Sequence, residues 1–428
     1  MKNLKILLSV LLATAMLLTA AGALAEGYSV DVLEVKIWDN NQLAGLQQIA
    51  DLWTEQSGVK VNIQVVDWDN YWTLLEAGAS GGEMPDVFWM HSNNAQMYMG
   101  AQKLLDLTDY IAASDKIDLA NYYPGITELY SLNDRNYAIA KDHDTIALLY
   151  NKAIFDQYGV GYPDDTWTWD DYKAAAEAIT EASGGEVYGA ACNTTNDQDG
   201  YFNIIYDFGG YVISEDKKSS GWDNENTMKA MNFVGSLMEK AWAPQQLVAE
   251  NGTDTLFKNR KVAMISQGSW MINSFYTYEG SEDFAWAVLP YADVNGNGQP
   301  DEGERCSIYN GLGWAASAST KDPAAAWSLI EWFSSYEMQM KQSELGVTMA
   351  GYIGCSDAFI DAFPGMDVSA FLKMETEGTL VFRPYSKYTT RWEDQATSDL
   401  VAVWNDPSLM NDTLNRMAGD MNALLAQE

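Results

Sequence analysis

Cysteine, histidine and positive charge are all scarce in this chain, and each scarcity removes a class of function. Three cysteines, Cys192, Cys306 and Cys355, stand in 428 residues. An odd number cannot all pair internally, so at most one disulfide forms, and no CxxC spacing offers a zinc site. Stability therefore has to come from a core. There are 2 histidines, His91 and His143, so no HExxH metal motif is possible. No Walker-type loop or GxGxxG occurs either. Lys and Arg number 25 against 60 Asp and Glu, a formal charge of -35. Such a surface repels phosphate backbones and anionic lipid heads, which excludes nucleic acid as a partner.

One long apolar run exists, at the N-terminus. Lys2 and Lys5 precede Ile6 to Leu18, and Ala23-Leu24-Ala25 gives an Ala-x-Ala cleavage pattern before Glu26. Residues 1–25 read as a secretory signal peptide. The run is shorter than the ~20 residues a membrane span needs, and no cysteine near the cut offers a lipid attachment. The mature chain is expected to be exported, periplasmic or extracellular, and not lipid-anchored. Losing Lys2 and Lys5 takes its formal charge from -35 to -37, two positive charges fewer. About 400 residues remain, enough for two domains of roughly 100–200 each. The 16 Trp and 24 Tyr argue against disorder.

Val32 to Trp38 reads as a strand, and Leu43, Leu46, Ile49, Ala50 and Trp53 recur at helical spacing, with Gly58 as a stop. Val59 to Val66 alternates as a second strand, Tyr71 to Ala79 as a helix. After the turn signal Gly81-Gly82-Glu83-Met84-Pro85, Val87 to Trp89 reads as a third strand. This alternation implies parallel βαβ units. The third strand breaks into His91, Ser92, Asn93 and Asn94, at the end where open α/β sheets place ligands. An aromatic beside amide and imidazole groups suits a sugar, with an apolar face to stack on and groups to bond hydroxyls. Thr168 and Asp171 fit a capping box opening a helix through Ala182, and Asp322-Pro323 opens another. A helix over Leu409–Leu425 closes the chain.

Residues 293–304 satisfy the pattern D-x-[DN]-x-[DN]-G-x₅-E of a calcium loop. Asp293, Asn295 and Asn297 stand at positions 1, 3 and 5, Gly298 at 6, the Gln299 carbonyl at 7, Asp301 at 9 and Glu304 at 12. A hard cation takes many oxygens, and this spacing lets one loop wrap it. Pro300 and a preceding strand depart from a helix–loop–helix frame. The expected cofactor is a structural Ca²⁺.

The stretch 85–107, the run 137–171 with its Tyr150-Asn151-Lys152, and 257–290 with Gly268-Ser269-Trp270 resemble the family 1 extracellular solute-binding proteins of sugar ABC transporters. That resemblance implies an α/β chain with a two-lobe, type II-like periplasmic-binding-protein fold. Each lobe would hold a mostly parallel sheet flanked by helices, joined by a hinge of chain crossings. The expected first lobe is 26–142 plus 290–338 and the second 143–289 plus 345–428. Crossings are expected at 141–144, 286–290 and 338–347. The resemblance also implies sugar contacts at Trp89, His91, Ser92, Asn93, Asn40 and Asn41 on the first lobe. On the second it implies Asp144, Asp199 and stacking by Trp270 and Trp392. Ser92 and Asn93 depart from the charged residues found there in the family. Tyr201, Asn310, Trp314, Arg383 and Tyr385 read as structural.

The function implied is hinged capture of a sugar or oligosaccharide, without catalysis, by a monomer that docks on membrane permease subunits. The alternative is a secreted carbohydrate-active hydrolase. Asp142 and Asp144 on an extended run would lie roughly 6.6 Å apart, within the range two catalytic carboxylates use. A scaffolding protein binding through its acidic surface is the third class.

Overall fold

The computed structural model describes residues 27–195 and 198–428. The expected signal peptide lies outside them.

Three strand–helix repeats open the chain. β1 (Val32–Ile37) buries Leu33, Val35 and Ile37 by strict alternation. Asp39 then caps α1 (Asn40–Ser57), accepting from the Asn41 N–H, and Gly58 at φ 75° ends it in the left-handed region. β2 (Lys60–Val65), α2 (Trp68–Gly81), β3 (Val87–Met90) and α3 (Ser92–Gly100) follow. After short irregular elements come β4 (Ala138–Ala140) and β5 (Ile146–Asn151). Next are α4 (Trp169–Ala182), β6 (Tyr188–Ala191), β7 (Val262–Gly268), β8 (Phe284–Ala287), β9 (Cys306–Tyr309) and β10 (Gly313–Ala316). The chain ends with α5 (Pro323–Ser334), α6 (Tyr336–Glu344), β11 (Thr379–Phe382), α7 (Thr389–Asn405) and α8 (Met410–Leu425).

Two sheets carry two cores. The first is five-stranded, ordered β2-β1-β3-β10-β4, and the second four-stranded, ordered β8-β5-β7-β6. β1, β2 and β3 pair in parallel, while β10 runs against both β3 and β4. In the second sheet β5 runs against both β7 and β8, and β6 follows β7. Each sheet thus has one direction and one reversed strand. The reversed strands, β5 and β10, are the ones on which the chain enters a lobe from the other. A strand entered from the hinge starts at the hinge-side edge, whereas the βα repeats end there.

The crossings form a hydrogen-bonded ribbon. Residues 141–145 lie between 310–312 and 349–351. Lys141 N–H donates to Leu312 C=O, Asp144 N–H to Asn310 C=O, His143 N–H to Met349 C=O and Gly351 N–H to Lys141 C=O. Glycine is required where backbones nearly touch: a Cβ on Gly311 would lie 2.3 Å from the Asp142 carbonyl oxygen, and one on Gly351 2.9 Å from that of Ala140.

The second and third crossings fall later than the sequence suggests. Val288, Leu289, Ala292 and Ile308 all pack in the second core, and only from Tyr309 onward does the chain join the first. The segment 290–308 therefore goes with the second lobe, not the first. It is tied there by Tyr291 bridging Thr168 and by Arg305 donating to the Asp165 carbonyl. Residues 338–344 are helix on the first-lobe core and Val347 fills the space left by Gly45; Met349 reaches the second core while Tyr352 still packs against the first, so the crossing runs over 347–352.

Candidate functional site: the cleft between the lobes

The C-terminal ends of β1, β2 and β3 converge on an aromatic group. Trp38 follows β1, Trp68 opens α2 after β2, and His91 follows β3. Trp38 and Trp68 meet edge to face with centroids 5.1 Å apart, and Trp68 lies edge-on to His91 at 5.4 Å. Trp68 is 41% exposed although it is a tryptophan, and Trp38 is half-buried. An exposed indole at the ligand edge of a parallel sheet is a ready stacking surface.

On the second lobe the matching indole is Trp270. β7 ends at Gly268, which pairs with Ile146 beside the first crossing. The Trp270 ring lies on Gly268 so closely that a Cβ there would be 2.0 Å from a ring carbon. Glycine two residues before this Trp is thus a steric requirement of the ring's position. Trp270 stays half-buried.

The crossing between these aromatics is polar and buried. Lys141 is fully buried, with Nζ 2.6 Å from Asp142 Oδ2, 2.7 Å from Gln42 Oε1 and 4.4 Å from the centre of the Trp89 ring. Asp142 Oδ1 accepts from the Leu312 N–H. Asp144 Oδ1 accepts from Gln198 Nε2. Burial, then the neighbouring Asp142, raise the Asp144 carboxyl well above the ordinary aspartate value. Both Asp142 oxygens thus have structural partners, Lys141 and the Leu312 N–H. His143 ties its Nδ1 to the Ala350 carbonyl at 2.7 Å and stacks on Tyr123 at 3.8 Å.

His91 accepts the Asn93 N–H at Nδ1. Burial, then Arg383, hold its basicity well below the usual imidazole value. It is therefore neutral with its proton on Nε2. Asn310 Nδ2 lies 3.0 Å from His91 Nε2, and turning that amide over would bring Oδ1, otherwise without a partner, to the imidazole N–H.

The remaining expected contacts divide. Trp89 is fully buried in β3, under Lys141 and against Trp314 at 6.0 Å. Trp392 is buried in the second core, its Nε1 donating to Ser386 Oγ. Both are core residues rather than stacking faces: β3 is a central strand covered on both sides, and Trp392 lies on the inner face of α7. Ser92 is buried in the first turn of α3 with no partner at Oγ. Asn93 bonds across the cleft to Glu393 and Arg383. Asn40 and Asn41 are exposed in the first turn of α1. Asp199 is buried next to Gln198, the Asp144 partner. Trp38, Trp68, Gln42 and Gln198 were not anticipated. The signal for the first two was available, since each follows a predicted parallel strand.

Residues 293–304 form a tight loop closed by its own hydrogen bonds. Gly298 N–H donates to Asp293 Oδ2, Asn297 N–H to Asn295 Oδ1, and Gln299 N–H to Asn297 Oδ1, with Gly298 at φ 71°. Glu304 is buried, its two oxygens accepting from the Val294 and Asp301 N–H groups. Asp293 Oδ1 is buried without a partner. Among the described residues, no three His, Cys, Asp or Glu side chains cluster as metal ligands, the loop's own Asp293, Asp301 and Glu304 included.

Two lobes, each with its own sheet and core, joined by three crossings that line a cleft with aromatic rims, define a hinged α/β binding protein. The chain belongs to the bacterial extracellular solute-binding protein family, whose profile matches residues 38–340. That family binds solutes and is not a family of enzymes. The chain is 27% identical over 332 residues to the maltotriose-binding protein of Pyrococcus abyssi, covering 75% of this chain and 66% of that one. The match thus spans just under two thirds of that relative. Its fold is similar to an ABC substrate-binding protein of Listeria monocytogenes in complex with cycloalternan, at TM-score 0.83 and 20% identity, covering 93% of this chain and 100% of the other. It is also similar to the GacH receptor of Streptomyces glaucescens, solved unliganded and with acarbose, at TM-score 0.80 and 19% identity, covering 93% and 99%. Among the described residues no helix is long and apolar enough to cross a membrane.

Proposed function

We propose that the chain captures a sugar or oligosaccharide in the interlobe cleft and delivers it, unaltered, to the permease subunits of an ABC transporter. The observation that carries this is the placement of exposed or half-buried indoles, Trp38 and Trp68 on one lobe and Trp270 on the other, at strand ends bordering a polar hinge. Indoles stack on sugar faces, while Asp144, Asn41 and their neighbours bond hydroxyls. The relatives named for maltotriose, cycloalternan and acarbose support a saccharide ligand. Titrating the protein with a panel of oligosaccharides while following tryptophan fluorescence tests it. Saturable change with the sugar recovered intact by mass spectrometry is expected; silence across the panel, or cleaved sugar, overturns it.

The family's extracellular character supports export, and we infer a monomer outside the cytoplasm that does not bind nucleic acid. Light scattering on the eluting peak reads the mass directly.

The loop 293–304 fits Ca²⁺. Asp293, Asn295, Asn297, the Gln299 carbonyl, Asp301 and Glu304 would hold it, and the ion would supply the partner Asp293 Oδ1 lacks. Its role would be to stiffen the segment that leads into β9. Calcium is expected to raise the melting temperature of chelator-treated protein, and Glu304→Gln to abolish that rise; equal melting curves with and without the ion would refute the site.

A further inference from the structure

The loop after β3, expected to grip the sugar, is occupied with something else. Asn93 Oδ1 accepts from Arg383 Nε at 2.8 Å, and Asn93 Nδ2 donates to Glu393 Oε2 at 2.7 Å. Arg383 Nη2 closes the ring on Glu393 Oε1 at 2.8 Å. Asn93 stands on α3 of the first lobe. Arg383 follows β11, and Glu393 stands on α7 of the second. All three residues are nearly buried, at 7%, 6% and 9% exposure. We propose that Asn93, Arg383 and Glu393 form a latch that holds the two lobes together directly, so that Asn93 acts on closure and not as a sugar ligand.

The chemistry is specific. An ion pair taken out of water costs more than its attraction returns unless its remaining donors and acceptors are met. Arg383 stands at the hinge, its N–H on the Tyr309 carbonyl and its neighbours Leu380 and Tyr385 against the first core, while Glu393 stands on α7 beside Trp392 in the second. When the lobes meet, water leaves, and the pair presents one donor and one acceptor to the first lobe. A carboxamide is the side chain that supplies both complements at once. Aspartate would set a second carboxylate against Glu393, and leucine would leave the pair's edge unmet.

The inference rests on the binding-protein reading and deepens it. Ligand affinity depends on the fraction of molecules able to adopt the closed form. A latch made of protein bonds raises that fraction before any sugar arrives. It also leaves Trp38, Trp68 and Trp270 as the surfaces that contact ligand.

Small-angle scattering of the full chain without ligand tests the latch. Wild type is expected to give the compact profile computed from this structure, and Asn93→Leu and Asn93→Asp to give a larger radius of gyration. Glu393→Gln, which keeps size and shape, guards against simple misfolding, as does circular dichroism on each variant. Its profile is expected to lie between the two. Trp68→Ala is expected to scatter as wild type does. Identical profiles for wild type and both Asn93 variants overturn the latch, as does a wild type already as extended as they are. Neither outcome depends on a sugar, so failure here is separate from a silent fluorescence panel, which would strike the binding reading itself.

Discussion

Trp68 and Trp89 are alike in sequence and opposite in consequence. Trp68 is exposed at the cleft edge, whereas Trp89 has no exposed surface. Trp68→Ala is expected to weaken sugar binding on the order of tenfold, the scale of one lost stacking partner, with an unchanged melting curve. Trp89→Ala is expected to cost about 3–5 kcal/mol of stability through the cavity it opens, read by chemical denaturation. His91 adds a pH signature. Its folded form resists protonation below the ordinary value of 6.5. The unfolded chain then binds the extra proton as pH falls below about 6.5, so stability present above that pH is lost on acidification. Melting temperatures between pH 7.5 and pH 5 are expected to fall more steeply for wild type than for His91→Asn.

At the scale of elements, local signals were strong. The capping box at α4 is present as predicted, with Thr168 Oγ1 accepting from Asp171 N–H and Asp171 accepting in return. Asp322 accepts from the Ala325 N–H, with Pro323 opening α5. Thr168→Ala is expected to lower stability by about 1 kcal/mol in urea unfolding, the usual worth of such a cap. Both are decided within four residues of chain, which is why sequence reveals them. The burial of Trp392 was not legible in this way. Its helical turn places it inward only because α7 lies against the second core, and nothing within a few residues of Trp392 records that.

For the whole molecule, the hinge ribbon is the element on which both lobes depend. Three crossings share hydrogen bonds, and Gly311 lets two of them touch. Gly311→Ala forces a methyl into the Asp142 carbonyl. It is expected to destabilise the protein by about 1–3 kcal/mol, the range for overpacking. Scattering should also show a wider spread of lobe positions. A similar substitution at Gly161, with open space around it, should do neither.

Periodicity, caps and turn residues were enough to read the strand–helix order of the first lobe, because each is set by residues close in sequence; the two-lobe plan and the first crossing came from the resemblance to the solute-binding family. The sequence also carried the calcium-loop spacing and the Gly-x-Trp of the second rim. Only the tertiary structure decided which tryptophans see the cleft, where the second and third crossings fall, and that Asn93 meets an ion pair some 300 residues away. Those outcomes turn on which faces pack against each other, and burial is a property of the neighbours an element acquires, not of its own residues.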